Sequence, residues 1–144
     1  MMNSVFLPQG SEFQINTQTA SSQQSAAIAV ENDGDFVVAW ESNAQDGDGY
    51  GIYAQHYNRF GTAIGGEFRV NTFTNGDQRT PAIATDSSGN FVVVWSSSSQ
   101  DGSGEGIYAQ RYNSLGIAQG SEFRVNTYTT SNQGSPAIAL SPAG

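Results

Sequence analysis

Phe91-Val92-Val93-Val94-Trp95 repeats Phe36-Val37-Val38-Ala39-Trp40 at a distance of 55 residues. Five apolar residues in a row, ending on tryptophan, describe a strand buried on both faces. Working outward, every flanking segment returns at the same spacing. Gly51-Ile52-Tyr53-Ala54-Gln55 returns as Gly106-Ile107-Tyr108-Ala109-Gln110. Ala27-Ile28-Ala29 returns as Ala82-Ile83-Ala84 and again as Ala137-Ile138-Ala139. Glu12-Phe13 returns as Glu67-Phe68 and Glu122-Phe123. Residues 11–65 and 66–120 align without gaps at 29 identical positions of 55. The chain of 144 residues is one domain of tandem units: 11–65, 66–120 and a partial third over 121–144.

Each unit divides into four short strands. Glu67–Thr72 alternates, with Phe68, Val70 and Thr72 on one face, the two-residue period of a half-buried strand. Pro81–Thr85 opens on a proline, which suits a strand's first residue. Phe91–Trp95 and Gly106–Tyr112 follow. Glu31–Gly34 and Asp86–Gly89 read as hairpin turns in which glycine takes positive φ. Helical periodicity is absent. Four strands per unit of about 40–55 residues describe a propeller blade, a small sheet buried between two neighbours. An immunoglobulin-type sandwich has no reason to repeat at half its length. The expected fold is therefore all-β: a β-propeller-like array of four-stranded antiparallel blades, about two and a half repeats.

A closed propeller needs about 4–8 blades. Open blade edges are aggregation hazards. Either the chain is a piece of a longer array or several copies assemble into a ring; the open ends lead to the expectation of homo-oligomerisation, the chain being its own partner. Two copies would total five blade equivalents, and their leftover halves match only if strands are exchanged.

Composition excludes several partners. Five arginines and no lysine face 13 acidic residues, a formal net charge of -8. A nucleic-acid surface needs clustered cations, and anionic membranes repel an acidic one. Without cysteine there are neither disulfides nor thiolate metal sites. No apolar run approaches the roughly 20 residues that cross a bilayer, so membrane insertion is not expected. Met1–Pro8 lacks the charged start and apolar stretch of a targeting segment.

The pattern Gln-Asp-Gly-Ser-Gly-x-Gly-Ile-Tyr-Ala-Gln-Arg-Tyr over 100–112 resembles tandem repeats of large bacterial secreted and surface proteins. So do Gly-x-Glu-Phe-x-Val-Asn-Thr over 120–127, Pro-Ala-Ile-Ala over 136–139 and Phe-Val-Val-x-Trp over 91–95. The spacing is more loosely similar to the delta-60 type of bacterial propeller repeat. The resemblance implies a β-propeller, an adhesin-like parent and an extracellular or cell-surface setting. It implies no catalytic residues.

Candidate sites follow. Asp46 and Asp48, and in the second copy Asp101 and Glu105, resemble the start of a Ca²⁺ loop. The distal bidentate glutamate of the full pattern is missing. The alternative is an Asx-turn loop, with no cofactor at all. Trp40, Tyr53, Trp95 and Tyr108 are candidate sugar-stacking aromatics; the alternative is interblade core. His56 stands where the next copy has Arg111, which suggests an exposed position. A lone histidine without a nucleophile elbow makes no triad. Glu12, Glu67 and Glu122 recur in every unit, unlike a convergent glycosidase pair, and read as structural. The sequence therefore leads to the expectation that the chain is no enzyme but an interaction module, a self-assembling scaffold or adhesive domain. A glycan-binding lectin with one site per blade and a weak Ca²⁺ module are the alternatives.

Overall fold

The computed structural model describes residues 10–144. The expectation about Met1–Pro8 lies outside them. Two four-stranded antiparallel sheets follow one another along the chain. The first comprises β1 (Gln23–Val30), β2 (Phe36–Asn43), β3 (Tyr50–Tyr57) and β4 (Ala63–Arg69). The second comprises β5 (Gln78–Thr85), β6 (Phe91–Ser98), β7 (Glu105–Tyr112) and the two-residue β8 (Phe123–Arg124). Both are up-and-down meanders in the order of the chain. The described residues contain no helix. The all-β, propeller-like architecture expected from the repeat is present.

The registers repeat as faithfully as the sequence. Trp40 pairs with Tyr53 and Trp95 with Tyr108. Both first strands slip register, between Gln24 and Ala27 and between Arg79 and Ala82. The slip is a β-bulge built on a residue with positive φ, Ser25 (54°) and Thr80 (53°). The expected hairpins are also there. Gly34 N–H donates to Glu31 O (3.0 Å), and Gly89 N–H to Asp86 O (3.2 Å).

The period is as read, but the phase of the sheets is different. Glu67–Thr72 was expected to open its own unit's sheet. Its first half instead belongs to β4, the last strand of the preceding sheet, where Phe68 pairs with Ala54 and Arg69 with Tyr53. Sequence units and sheets therefore overlap by one strand. The same strand turns its side chains onto the next sheet. Phe68 packs against Tyr112 with ring centroids 5.4 Å apart, and Val70 joins the buried cluster between the sheets. One segment thus hydrogen-bonds to one blade and packs on the other, which welds the pair.

The main core lies between the two sheets. Val37, Ala39, Ile52 and Ala54 of the first meet Ile83, Phe91, Val93, Trp95 and Tyr108 of the second. A second, smaller cluster of Val38, Trp40 and Tyr53 lies on the far face of the first sheet, with Ile15 and Phe36 against it. There the head segment over 11–16 plays the part of β4. Tyr57 Oη donates to Ile15 O (2.5 Å) as Tyr112 Oη does to Val70 O (3.5 Å). The head forms no strand.

Candidate functional site

The tyrosines and tryptophans come first, because the sequence offered them as a sugar platform. Trp40, Tyr53, Trp95 and Tyr108 are all buried. None presents a free ring face, so the stacking expectation is corrected: Trp95 and Tyr108 belong to the core between the sheets, and Trp40 and Tyr53 to the smaller cluster beneath the head segment. Two-sided burial of β2 and β6 is the cause. Tyr57 and Tyr112 spend their hydroxyls on main-chain carbonyls rather than on water. Burial, and then the charge of Glu122, push the Tyr112 phenol well above its ordinary range.

The aspartate loops have their own employment. Asp46 Oδ2 accepts from Asn71 Nδ2 (3.2 Å), and Asp48 Oδ2 from Gly76 N–H (2.9 Å). In the second copy Ser103 Oγ accepts from Ser131 N–H (3.3 Å), and Asp101 Oδ1 from Ser103 N–H (3.1 Å) in an Asx turn. Glu105 gives its own N–H to Asn132 Oδ1 (3.2 Å). A Cβ at Gly51 would lie 2.5 Å from Asp46 Oδ2, so only glycine lets the carboxylate seat there. Among the described residues no three His, Asp or Glu side chains converge on a point where a metal ion could sit. The loop oxygens latch one repeat to the next, as the hydrogen bonds of an Asx-turn loop would.

The recurrent glutamates form a second latch. Glu67 Oε2 accepts from Thr17 N–H (2.7 Å) and Thr17 Oγ1 (2.8 Å), and Oε1 from Gln45 Nε2 (2.6 Å). Glu122 repeats this with Thr72 N–H (2.6 Å), Thr72 Oγ1 (2.9 Å) and Gln100 Nε2 (2.5 Å). Partial burial raises the Glu67 pKa, but the bonds from Gln45 and Thr17 outweigh it and hold the carboxyl below its ordinary value. A depressed folded-state pKa contributes stability above the unfolded value and loses it as pH falls through the folded one. Melting followed by circular dichroism is therefore expected to fall steadily below about pH 4.3. Glu67→Gln is expected to flatten that limb.

His56 is not exposed. Its Nε2 lies 2.9 Å from Glu31 Oε1, with both side chains nearly covered. The cover is the next blade's turn: a Cβ at Gly89 would come within 2.6 Å of Glu31 Oε2. The expectation of exposure rested on the His56/Arg111 exchange alone. The same repeat places Glu31 opposite Asp86, so an acid accompanies a base in both copies. That pairing was the available signal.

What remains open is the far face of the first sheet. Beside the head segment lies a groove of about 220 Å³ lined by Ile15, Gln23, Gln24, Ala26, Val38 and Trp40. Ala26, Ile28 and Val30 continue it along β1 in full exposure. On the second sheet the equivalent positions are Pro81, Ile83 and Thr85, and there the first sheet covers them. Ile28 is 59% exposed and Ile83 9%. Glu41 fills the place that the groove leaves empty. It accepts from Thr80 N–H (2.7 Å) and Gln24 Nε2 (3.0 Å) and faces Arg79 Nη1 at 3.7 Å.

Neither a protein-family model nor a curated protein sequence matches the chain. A solved structure does: the endo-arabinase from Bacteroides thetaiotaomicron VPI-5482, with a TM-score of 0.52 and 18% identity. The match covers 77% of this chain and 45% of the enzyme, so the chain spans less than half of that protein's length. At this identity the likeness speaks for the fold. It also corrects the expectation that the chain is no enzyme, since an enzyme is built on this arrangement of sheets. That expectation leaned on His56 and a missing nucleophile elbow, whereas carboxylates alone can carry hydrolysis, and a fold does not fix an activity. The far face of the first sheet is a repeated packing surface that leaves Ile28 exposed where the second sheet buries Ile83.

Proposed function

We propose that this chain is a self-assembling propeller module, an interaction scaffold that displays repeated loops outside the cell or on its surface. The observation that carries this is the contrast between Ile28 and Ile83. One sequence repeat, one strand position and one apolar side chain are buried under a neighbouring blade in the second sheet and open in the first. A blade face that leaves Ile28 and Val30 exposed is built to be covered by another blade's Val, Ala and Ile residues. Full coverage of an isoleucine is worth roughly 1.5–3 kcal/mol, so several together sustain association. An assembly of identical units then presents the same loop many times, and weak contacts gain avidity from multiplicity.

The test is the mass of the native protein by sedimentation over a range of concentrations. Assembly into species larger than one chain is expected. Ile28→Glu is expected to return the protein to a monomer with its melting temperature nearly unchanged, because the side chain is exposed in the single chain. A wild-type protein that stays monomeric at high concentration would overturn the proposal.

A further inference from the structure

The two ends of the chain are copies of each other. Residues 11–30 and 121–140 agree at 12 of 20 positions. The structure gives them complementary halves of one job. The head has the packing without the pairing: Phe13 lies against Tyr57 (5.6 Å) and Tyr57 Oη donates to Ile15 O, but the segment pairs with no strand among the described residues. The tail has the pairing without the packing. Phe123 pairs with Ala109 and Arg124 with Tyr108, and Val125 N–H donates to Ile107 O (2.7 Å). Yet Phe123 and Val125 stand exposed, where Phe68 and Val70 meet the aromatic face of the next sheet. At the end of β4 both halves are fulfilled at once by Phe68 and by Val70 just beyond the strand.

We propose that one copy associates with the next by exchanging its head for the other's tail, an inference that rests on the scaffold reading above. The head of an incoming copy replaces residues 121–126 along β7 while keeping its own packing on Tyr57. Its β1 takes the position of residues 135–140, and its open face closes over Val92, Val94, Ile107 and Ala109. Glu12 replaces Glu122 as acceptor for Thr72 and Gln100. The tail pairs two residues with β7, against four that β4 pairs with β3, and most of its residues are exposed. The ends are therefore alternatives and not additive fragments. Each copy contributes two blades, not two and a half, so closed rings of about 4–8 blades hold two, three or four copies. Such head-to-tail contacts close into a ring when the rotation permits and otherwise run on as a filament.

The absence of native cysteine makes the test clean. Cross-strand partners lie about 4.5–5.5 Å apart at Cα, within the span of a disulfide. In the double variant Ala109→Cys/Phe123→Cys, oxidation ties the tail to β7 and reduction frees it. Sedimentation is expected to find the reduced protein assembling like the wild type and the oxidised protein weakened at least tenfold in association. Equal assembly of both forms would overturn head-for-tail exchange while leaving face-to-face docking, and the scaffold reading, in place. A wild-type and reduced protein that both remain monomeric would overturn the scaffold reading and the exchange together.

Discussion

Replacing Phe91 by alanine is expected to cost about 3–5 kcal/mol and to lower the melting temperature by roughly 10–25 °C. Phe91 has no exposed surface and stacks on Tyr112 with centroids 4.8 Å apart and planes 13° from parallel. Its ring sits between sheets, with Val93 and Trp95 beside it and the first sheet on top. The cavity left by truncation has rigid walls on both sides, and such sites relax least. The equivalent substitution Phe36→Ala supplies the control. Phe36 stacks on Tyr57 in the same way (5.3 Å, 16°) but on the open face, where it is only half-buried. A loss of about 1–2 kcal/mol is expected there, since part of its surface never left water. Thermal melts of the two variants under dilute conditions decide the matter. Equal losses would mean that the two sheets do not share the core described above.

The same pair of residues marks how far the sequence could be read. Period, strand content and core were legible because exact spacing fixes them: Phe36 and Phe91, Trp40 and Trp95 can recur only if their surroundings recur. Phase was not legible. A repeat looks identical from whichever residue counting starts, and only hydrogen bonds disclose that Phe68 pairs with Ala54 behind it and packs on Tyr112 ahead. The site suffered from the same ambiguity. Asp46 and Asp48 read as residues of one loop until Asn71 and Gly76, from the following repeat, are found bonded to them. His56 looks free until Gly89 of the other blade closes over Glu31. In each case the missing information was a neighbour from the next unit, some 25–60 residues along the chain. Head and tail were visible as copies but were counted as additive halves. Their interchangeability emerges only when one is found with packing and the other with pairing.

Asn71→Ala is the second large effect, expected to cost about 3 kcal/mol or more. Asn71 sits just beyond β4, buried, with four partners. Its Oδ1 accepts from Ile52 N–H (2.7 Å), while Nδ2 lies within reach of Gln78 Oε1 (3.0 Å), Phe73 O (2.8 Å) and Asp46 Oδ2 (3.2 Å). Ile52 and Gln78 are themselves fully buried. Truncation leaves a buried N–H and a buried amide oxygen unsatisfied, each worth about 1–3 kcal/mol. The third repeat again provides the comparison. Asn126 holds Ile107 N–H (2.7 Å) and Gln133 Oε1 (3.0 Å) in the same geometry, but at the open end of the second sheet. Water can replace it there, and Asn126→Ala is expected to cost roughly 1 kcal/mol. Asn71→Asp separates hydrogen bonding from shape. The aspartate keeps the acceptor for Ile52 but loses the donor and places a second carboxylate against Asp46. Like charges in contact raise the pKa of one of the pair, so this loss is expected to be largest at neutral pH and to shrink as acid protonates the new side chain. Chemical denaturation at pH 7 and pH 4.5 reads the difference. A loss that did not change with pH would mean that Asp46 does not face Asn71, and that the latch between repeats is made elsewhere.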